Sequence, residues 1–408
     1  MDPPPTLPQE LLNEVVDDLR SEPEALKHCA LASRCLLERS QQNLFFAIHI
    51  SSATHSLRIL NVLTSKRILS HYIRDLCITI DEEWCLRDSS LPSILSMLTF
   101  LESLTIKGQT CALWNKDIPR ETADALMRLV AFPSIRSLAI CNFYDAPLDF
   151  FSIPKHLKSL ELNTVTVVNF PRSDVIAIPH MSTDCLELLL FSSFPPMDEE
   201  ILAVLMRPNA IFSQVKVLRA YYVGSTRYLF KTMQASKLAL EIIELHHISS
   251  HVADGEQEGL STIDFSSMPN LKCLAFCCAI NPTSGFPWPE CTAVLASIRD
   301  LISVNPTVLG VKKIQIIFTA YRPLVGCNNE KWIELPAFMG ESWETLDQAL
   351  NHGRGSTNLP FHLDMVLRIK GLSGEDRDIA APIWKSLVSS RMPITSASEG
   401  LHCRLDHL

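Results

Sequence analysis

Along most of the chain the apolar residues fall into one short arrangement, apolar-x-x-apolar-x-apolar. From residue 70 onward it occurs in IRDLCI (73–78), LESLTI (101–106), IRSLAI (135–140), LKSLEL (157–162), LELLLF (186–191), VKVLRA (215–220), LEIIEL (240–245), LKCLAF (271–276), VKKIQI (311–316) and, more weakly, DMVLRI (364–369). The fourth positions, from Leu76 to Leu367, are 22 to 53 residues apart, and the longest spacings come late in the chain. The fourth and sixth positions share one side of an extended chain, so each motif predicts a short strand with one buried face. Between the motifs, SLRILNVLTSKRILS (56–70), ETADALMRLVAF (121–132), STRYLFKTMQASK (225–237) and CTAVLASIRDLI (291–302) carry apolar residues three or four apart. That spacing predicts helices. Strand then helix, repeated, predicts an α/β architecture with a parallel sheet inside and helices outside.

The first fifty residues follow a different pattern. Leu11, Leu12, Val15, Val16 and Leu19 share one helical face, and Asn13, Glu14, Asp17 and Asp18 the other. Pro8 suits the first turn of this helix, and Thr6 followed by Gln9 is a weak capping box. Ser21-Glu22-Pro23-Glu24 opens a second amphipathic stretch with Leu26, Cys29, Leu31, Leu36 and Leu37, and Ser33 can cap a third helix after a break at Ala32. Three short helices in about 40 residues cannot bury their apolar faces alone, so that surface packs on the following chain or on another protein. A cap on the end of a repeat array and a partner-binding surface both satisfy this requirement.

Composition narrows the function classes. With 47% hydrophobic and 20% charged residues the chain is of ordinary globular type, and its 408 residues allow two or three domains or one continuous repeat body. A formal charge of −9 argues against a nucleic-acid partner, which requires clustered cations. Thirteen cysteines, an odd number scattered through apolar stretches, read as reduced thiols in a cytoplasmic or nuclear protein. The start MDPPPT lacks the features of a signal peptide, and apolar runs fall short of the ~18 residues of a membrane span, so no membrane association is expected.

The stretch 7–50 resembles an F-box, particularly of fungal type. It carries Leu7-Pro8 followed by Glu10 and Leu11, aliphatic Val15 and Leu19, the Cys29-x-Leu31-x-Ser33-Arg34 segment, and Leu44-Phe45 before a strand. The resemblance implies docking on the Skp-family adaptor of a cullin-RING ubiquitin ligase, with Leu7, Pro8, Leu11, Val15, Leu31 and Leu36 as anchors. The body resembles ribonuclease-inhibitor-like leucine-rich repeats, whose period is about 20–29 residues. It departs from them three residues past the last apolar position, where Asp81, Gln109, Phe143, Val165, Phe194, Val223, Ile248 and Ala279 replace the usual Asn or Cys ladder. The expected organisation is an F-box at 1–50, an irregular repeat solenoid at 51–372 and a capping segment at 373–408. The implied function is client selection in an SCF-type ligase; the alternatives are a non-catalytic scaffold outside any ligase and, less favoured, a metal-binding enzyme using the His246, His247 and His251 loop.

Alternation along the strands sends Lys107, Glu161, Asn163, Arg219, Tyr221, Glu244, His246 and Gln315 to the sheet face away from the core. Leu188, Leu190, Val217 and Ile242 fall in the same register. The middle repeats, with Leu188, Leu190, Val217, Arg219, Tyr221, Ile242, Glu244 and His246, are therefore the expected client site; the alternative is a face shielded by a neighbouring loop.

Sites for chemistry are weak. No GxGxxG, GxxxxGK[ST] or GxSxG occurs. His246, His247, His251 and Asp254 read as a loop without a third ligand or a general base, and Cys273, Cys277 and Cys278 as core thiols. Asp81-Glu82-Glu83 and the group Glu341, Glu344 and Asp347 read as solvated turns and helix faces. Neither catalysis nor a metal or cofactor is expected.

Overall fold

The computed structural model describes residues 7–152, 156–168, 186–192, 206–207, 210–221, 226–246, 264–280, 289–321, 340–357, 362–370, 374–397 and 401–407. The chain forms two compact units, residues 1–184 with 197–201 and residues 185–196 with 202–408.

The first unit opens with helices α1 (Gln9–Asp18), α2 (Pro23–Ala32) and α3 (Arg34–Leu44). Pro23 sits in the first turn of α2, where its missing amide costs nothing. The break at Ala32 is as expected. Ser33 is extended, with φ −154° and ψ 142°, and its hydroxyl accepts the Cys35 amide at 3.4 Å to cap α3. Both α1 and α2 pack on α3, with Val16 and Leu26 buried.

Five strands follow in this unit, β1 (Ala47–Ile50), β2 (Asp75–Ile80), β3 (Ser103–Leu113), β4 (Ser137–Pro147) and β5 (Ser159–Val168), each parallel to the next. From β2 on, every strand starts at the third position of its motif. The first, fourth and sixth positions are buried throughout, as in Ile73, Leu76 and Ile78 or Leu101, Leu104 and Ile106.

A repeated backbone contact joins the strand entries. The Phe46 carbonyl accepts the amides of Arg74 (2.9 Å) and Asp75 (3.0 Å), and the Arg74 carbonyl those of Glu102 (2.8 Å) and Ser103 (2.9 Å). Glu102 and Arg136 pass the same pair of bonds onward, to Arg136 and Ser137 and to Lys158 and Ser159. Helices Ala53–Ser65, Ser90–Met97 and Arg120–Val130 connect strands and pack in sequence, first on second and second on third.

The irregularity expected from the missing Asn ladder takes a definite form. The register of β3 and β4 shifts between Lys107 and Ala112, and that of β4 and β5 between Phe143 and Ala146. Phe143 and Val165, at the ladder positions, are buried apolar residues on strands that run on past the bend. Asn142 and Asp145 accommodate it with φ of 58° and 61°, a region these residues tolerate, and Thr164 does so at 53°, which is costly for a β-branched residue. At the β3 bulge an ideal Cβ on Gly108 would stand 2.3 Å from the Asn142 carbonyl oxygen and 2.6 Å from that of Thr110. Only a residue without a side chain allows that approach. Gly108→Ala is expected to lower stability by about 1–3 kcal/mol in urea unfolding; a loss below about 0.5 kcal/mol would mean the bulge yields freely.

The second unit has seven strands, β6 (Leu188–Ser192), β7 (Val217–Tyr221), β8 (Ile242–His246), β9 (Cys273–Ile280), β10 (Lys313–Tyr321), β11 (His362–Lys370) and β12 (Leu401–His407). All neighbours again pair in parallel, in chain order. The carbonyl contact recurs: Lys216 accepts from Glu241 and Ile242, and Glu241 from Lys272 and Cys273. Its helices include Thr226–Ala235, Pro289–Val304, Gly340–Thr357, Gly374–Arg391 and Pro393–Ala397. Phe318 from β10 lies 5.8 Å from the rings of both Trp343 and Trp384, and Trp384 Nε1 donates to the Met365 carbonyl at 3.2 Å.

Three expectations change here. The tenth motif is out of frame by four residues: Ile314 pairs with Leu363, so Leu363 and Met365, both fully buried, take the fourth and sixth places, and Asp364 faces the other way. The segment expected as a cap supplies helices Gly374–Arg391 and Pro393–Ala397 and a further strand, β12, that no repeat of the apolar motif announces. Asp347 is not on a solvated face but 2% exposed, and it receives four hydrogen bonds. The amides of Ile394 (3.0 Å) and Thr395 (2.9 Å), the Thr395 hydroxyl (2.5 Å) and Asn351 Nδ2 (3.3 Å) all donate to its carboxylate. A carboxylate at the first turn of a helix satisfies otherwise unpaired amides, so Asp347 pins Pro393–Ala397 against Gly340–Thr357.

Among the described residues no helix is long and apolar enough to cross a membrane. The α/β class is thus the observed one, with every described strand pair parallel.

Candidate partner-binding surfaces

Two surfaces bring together the residues singled out in the sequence. The first is on the N-terminal helices. Asp17 of α1 takes a forked ion pair from Arg39 of α3, with Nε and Nη2 at 2.6 and 2.5 Å from its two oxygens, and a third bond from Asn43 Nδ2 at 2.9 Å. The Arg39 hydrogen bonds, outweighing a small desolvation effect, hold the Asp17 carboxyl below its usual range. At the other end Gln9 Nε2 donates to the Cys35 carbonyl at 2.8 Å, while just past the Asp17 end Arg20 lies over the Phe46 ring at 3.7 Å. Polar contacts therefore fix α1 to α3 at both ends.

With the helices so fixed, the apolar face of α1 divides. Val16 is fully buried, whereas Leu11 and Val15, one turn apart, are 46% and 57% exposed. Leu7 at 64% and Leu31 at 86% are exposed as well, Pro8 is exposed, and Leu36 is half-buried. Five of the six expected anchors thus stand in solvent, and Leu36 partly so. Scattered single leucines on a surface are ordinary, but two on one turn of a clasped helix, with a third just ahead of it, form a stripe.

The second surface is the sheet face opposite the core in the second unit. Register places Leu188, Val217 and Ile242 in one row, Leu190, Arg219 and Glu244 in the next, and Tyr221 beside His246 in a third. All eight expected client residues lie on this one face, each half-buried, between buried Leu189, Leu218, Ala220, Ile243 and Leu245. Arg219 Nε contacts Glu244 at 2.6 Å, and the Tyr221 and His246 rings stack at 3.9 Å and 18°. His246 Nε2 is 3.9 Å from the same carboxylate, beyond hydrogen-bond reach, and has no hydrogen-bond partner. Burial pulls the Glu244 pKa upward, but the attraction of His246 and Arg219 is greater and leaves it lowered.

The face continues beyond those residues onto β9–β12. Lys313 Nζ meets Asp364 at 2.6 Å, Gln315 donates to the same carboxylate at 3.1 Å, and Arg368 and Arg404 flank Asp406. Asp364 is pulled upward by burial and downward by Lys313 and Gln315, which prevail. The tenth motif, framed four residues late, placed Asp364 ahead of its strand, and β12 was not recognised, so Arg404 and Asp406 had no face to occupy. Between the polar groups Ala275, Cys277, Ile317 and Val366 form a small buried apolar cluster on the same side. The face is therefore half-open over β6–β8 and closed at these four positions of β9–β11. In the first unit Lys107 is exposed, and Glu161 and Asn163 are half-buried.

Among the described residues the cysteines give no sign of activation. The nine described are free thiols, and burial pushes Cys273 up to about 11 and Cys277 up to about 12. His247, His251 and Asp254 lie outside the described residues. No family model matches the chain, and no curated protein matches it at a significant level.

Proposed function

We propose that the chain is the substrate-recognition subunit of an SCF-type cullin-RING ubiquitin ligase, built as an F-box followed by an irregular leucine-rich-repeat body. In this reading Leu7, Pro8, Leu11, Val15, Leu31 and Leu36 dock on a Skp-family adaptor that leads to cullin. The half-open face around Arg219, Tyr221, Glu244 and His246 takes a client protein. The chain itself makes and breaks no bonds; holding client and ubiquitin carrier in one assembly raises their effective concentration, and that is its contribution.

The observation that carries the reading is the exposed stripe on α1, held on a helical unit whose own contacts are already satisfied by Asp17, Arg39 and Asn43. An apolar helix face left in water while its polar neighbours are paired inward suits helix-in-groove docking. The test is co-expression of the full chain with a Skp-family adaptor and a cullin, followed by affinity capture. Co-elution of both partners is expected. Capture of adaptor without cullin would favour the scaffold reading, and capture of neither would overturn the proposal.

A further inference from the structure

Charge pairing on the second unit's open sheet face is uneven along its length. Glu244 is matched by Arg219 at 2.6 Å and Asp364 by Lys313 at 2.6 Å, one close cation to each carboxylate. At β11 and β12 the ratio changes. Arg368 Nε at 3.7 Å and Arg404 Nη2 at 3.2 Å share a single oxygen of Asp406, and neither makes the short forked contact that Arg39 makes with Asp17. Each guanidinium carries five N–H donors, so two of them around one oxygen leave most donors unused. Their side chains are 31% and 48% exposed, within reach of a ligand.

The setting strengthens them. Arg404 pairs in register with fully buried Val366, next to Ile317 and Cys277, so the guanidiniums stand beside a dry apolar floor where charge interactions are less screened. The charge of Arg404 is felt at Asp364 and Cys273, and that of Arg368 at Cys277, so both fields extend back over this floor.

We infer that the β11–β12 end of this face is a carboxylate-recognition site for an acidic, extended segment of a client protein, with Arg368 and Arg404 as its two forks. The inference deepens the client-binding half of the proposed function and does not depend on the adaptor half. Asp406 between the forks disfavours a doubly charged phosphate, which needs cations converging without an intervening anion. Glu244 and Asp364 along the same face, in a chain of net charge −9, disfavour a continuous polyanion such as nucleic acid.

The probe is a fluorescein-labelled oligoglutamate peptide, titrated against the full chain by fluorescence anisotropy at low salt. Parallel titrations use an oligophosphoserine peptide and a single-stranded oligonucleotide. Arg368→Gln with Arg404→Gln is expected to weaken oligoglutamate binding about tenfold or more. The charge-matched control Lys272→Gln with Arg299→Gln, whose ion pairs with Glu241 and Asp300 lie elsewhere, should change it by less than about twofold. Equal weakening in both variants, no binding by the wild type, or tighter binding of either other probe would overturn the site. Should the double variant melt early, Arg404→Gln alone, at the more exposed position, carries the test with the same criteria. Adaptor capture should be unchanged in these variants, so loss of the anion site and loss of the ligase reading are told apart.

Discussion

Asp347→Ala is expected to cost the second unit about 3 kcal/mol or more, because it strands the buried Thr395 amide and hydroxyl and removes the partner of the part-buried Ile394 amide at once. Each orphaned buried donor carries a penalty of about 1–3 kcal/mol, and total stabilities are commonly about 5–15 kcal/mol, so the loss is a large share. Its location is as diagnostic as its size. Asp347 joins helix Gly340–Thr357 to Pro393–Ala397, the last helix before β12, so amide hydrogen exchange should accelerate first in residues 393–407. Asp347→Asn keeps one acceptor oxygen but presents an amide donor to another donor, and should fall between wild type and alanine. A loss below about 1 kcal/mol for alanine would show that water replaces the carboxylate readily.

Leu11→Asp with Val15→Asp should abolish adaptor capture while leaving the protein folded. Truncation of a docking hot spot typically costs about 2 kcal/mol or more, so two together weaken binding by about a thousandfold. Because both side chains already stand about half in water, the substitutions bring little charge into the interior. The adjacent residue supplies the control. Val16 is fully buried, and Val16→Asp places a carboxylate in the core, which should unfold the helical unit. Retained capture in the Leu11/Val15 variant would remove α1 as the docking helix; early melting of that variant would mean the stripe serves the chain's own packing.

Much of this fold was readable because it is local. Ile73 to Ile78 and its repeats in β3, β4 and β5 bury their first, fourth and sixth positions, and alternation alone put Arg219, Tyr221, Glu244 and His246 on one face. Ser33 was likewise recognisable as a cap from the chemistry of its own side chain. What escaped notice depended on partners far along the chain. Asp347 sits among Glu341, Glu344 and Asp347, which by composition is a solvated helix face, and its true partner Thr395 is 48 residues away. The frame of β11 was lost because Leu367 and Ile369 also fit the fourth and sixth places of the motif, and only pairing with Ile314 shows that Leu363 holds the fourth place. In β12 the alternation of Leu401, Cys403 and Leu405 was present but too short to stand out, and with it went the view of Arg404 and Asp406. Gly108 carried no signal at all, since its need for a missing side chain arises from the bulge, which brings the Asn142 carbonyl of another strand and the Thr110 carbonyl of its own against it.

The shared carbonyl at six strand entries, those of Phe46, Arg74, Glu102 and Arg136 in the first unit and of Lys216 and Glu241 in the second, gives these joints the same main-chain bonding whatever side chains surround them. A joint built from main-chain atoms is indifferent to the length of the excursion that precedes it. Intervening segments can lengthen or be exchanged by recombination without reworking the seam, so such a protein can acquire new binding specificities while its framework stays fixed.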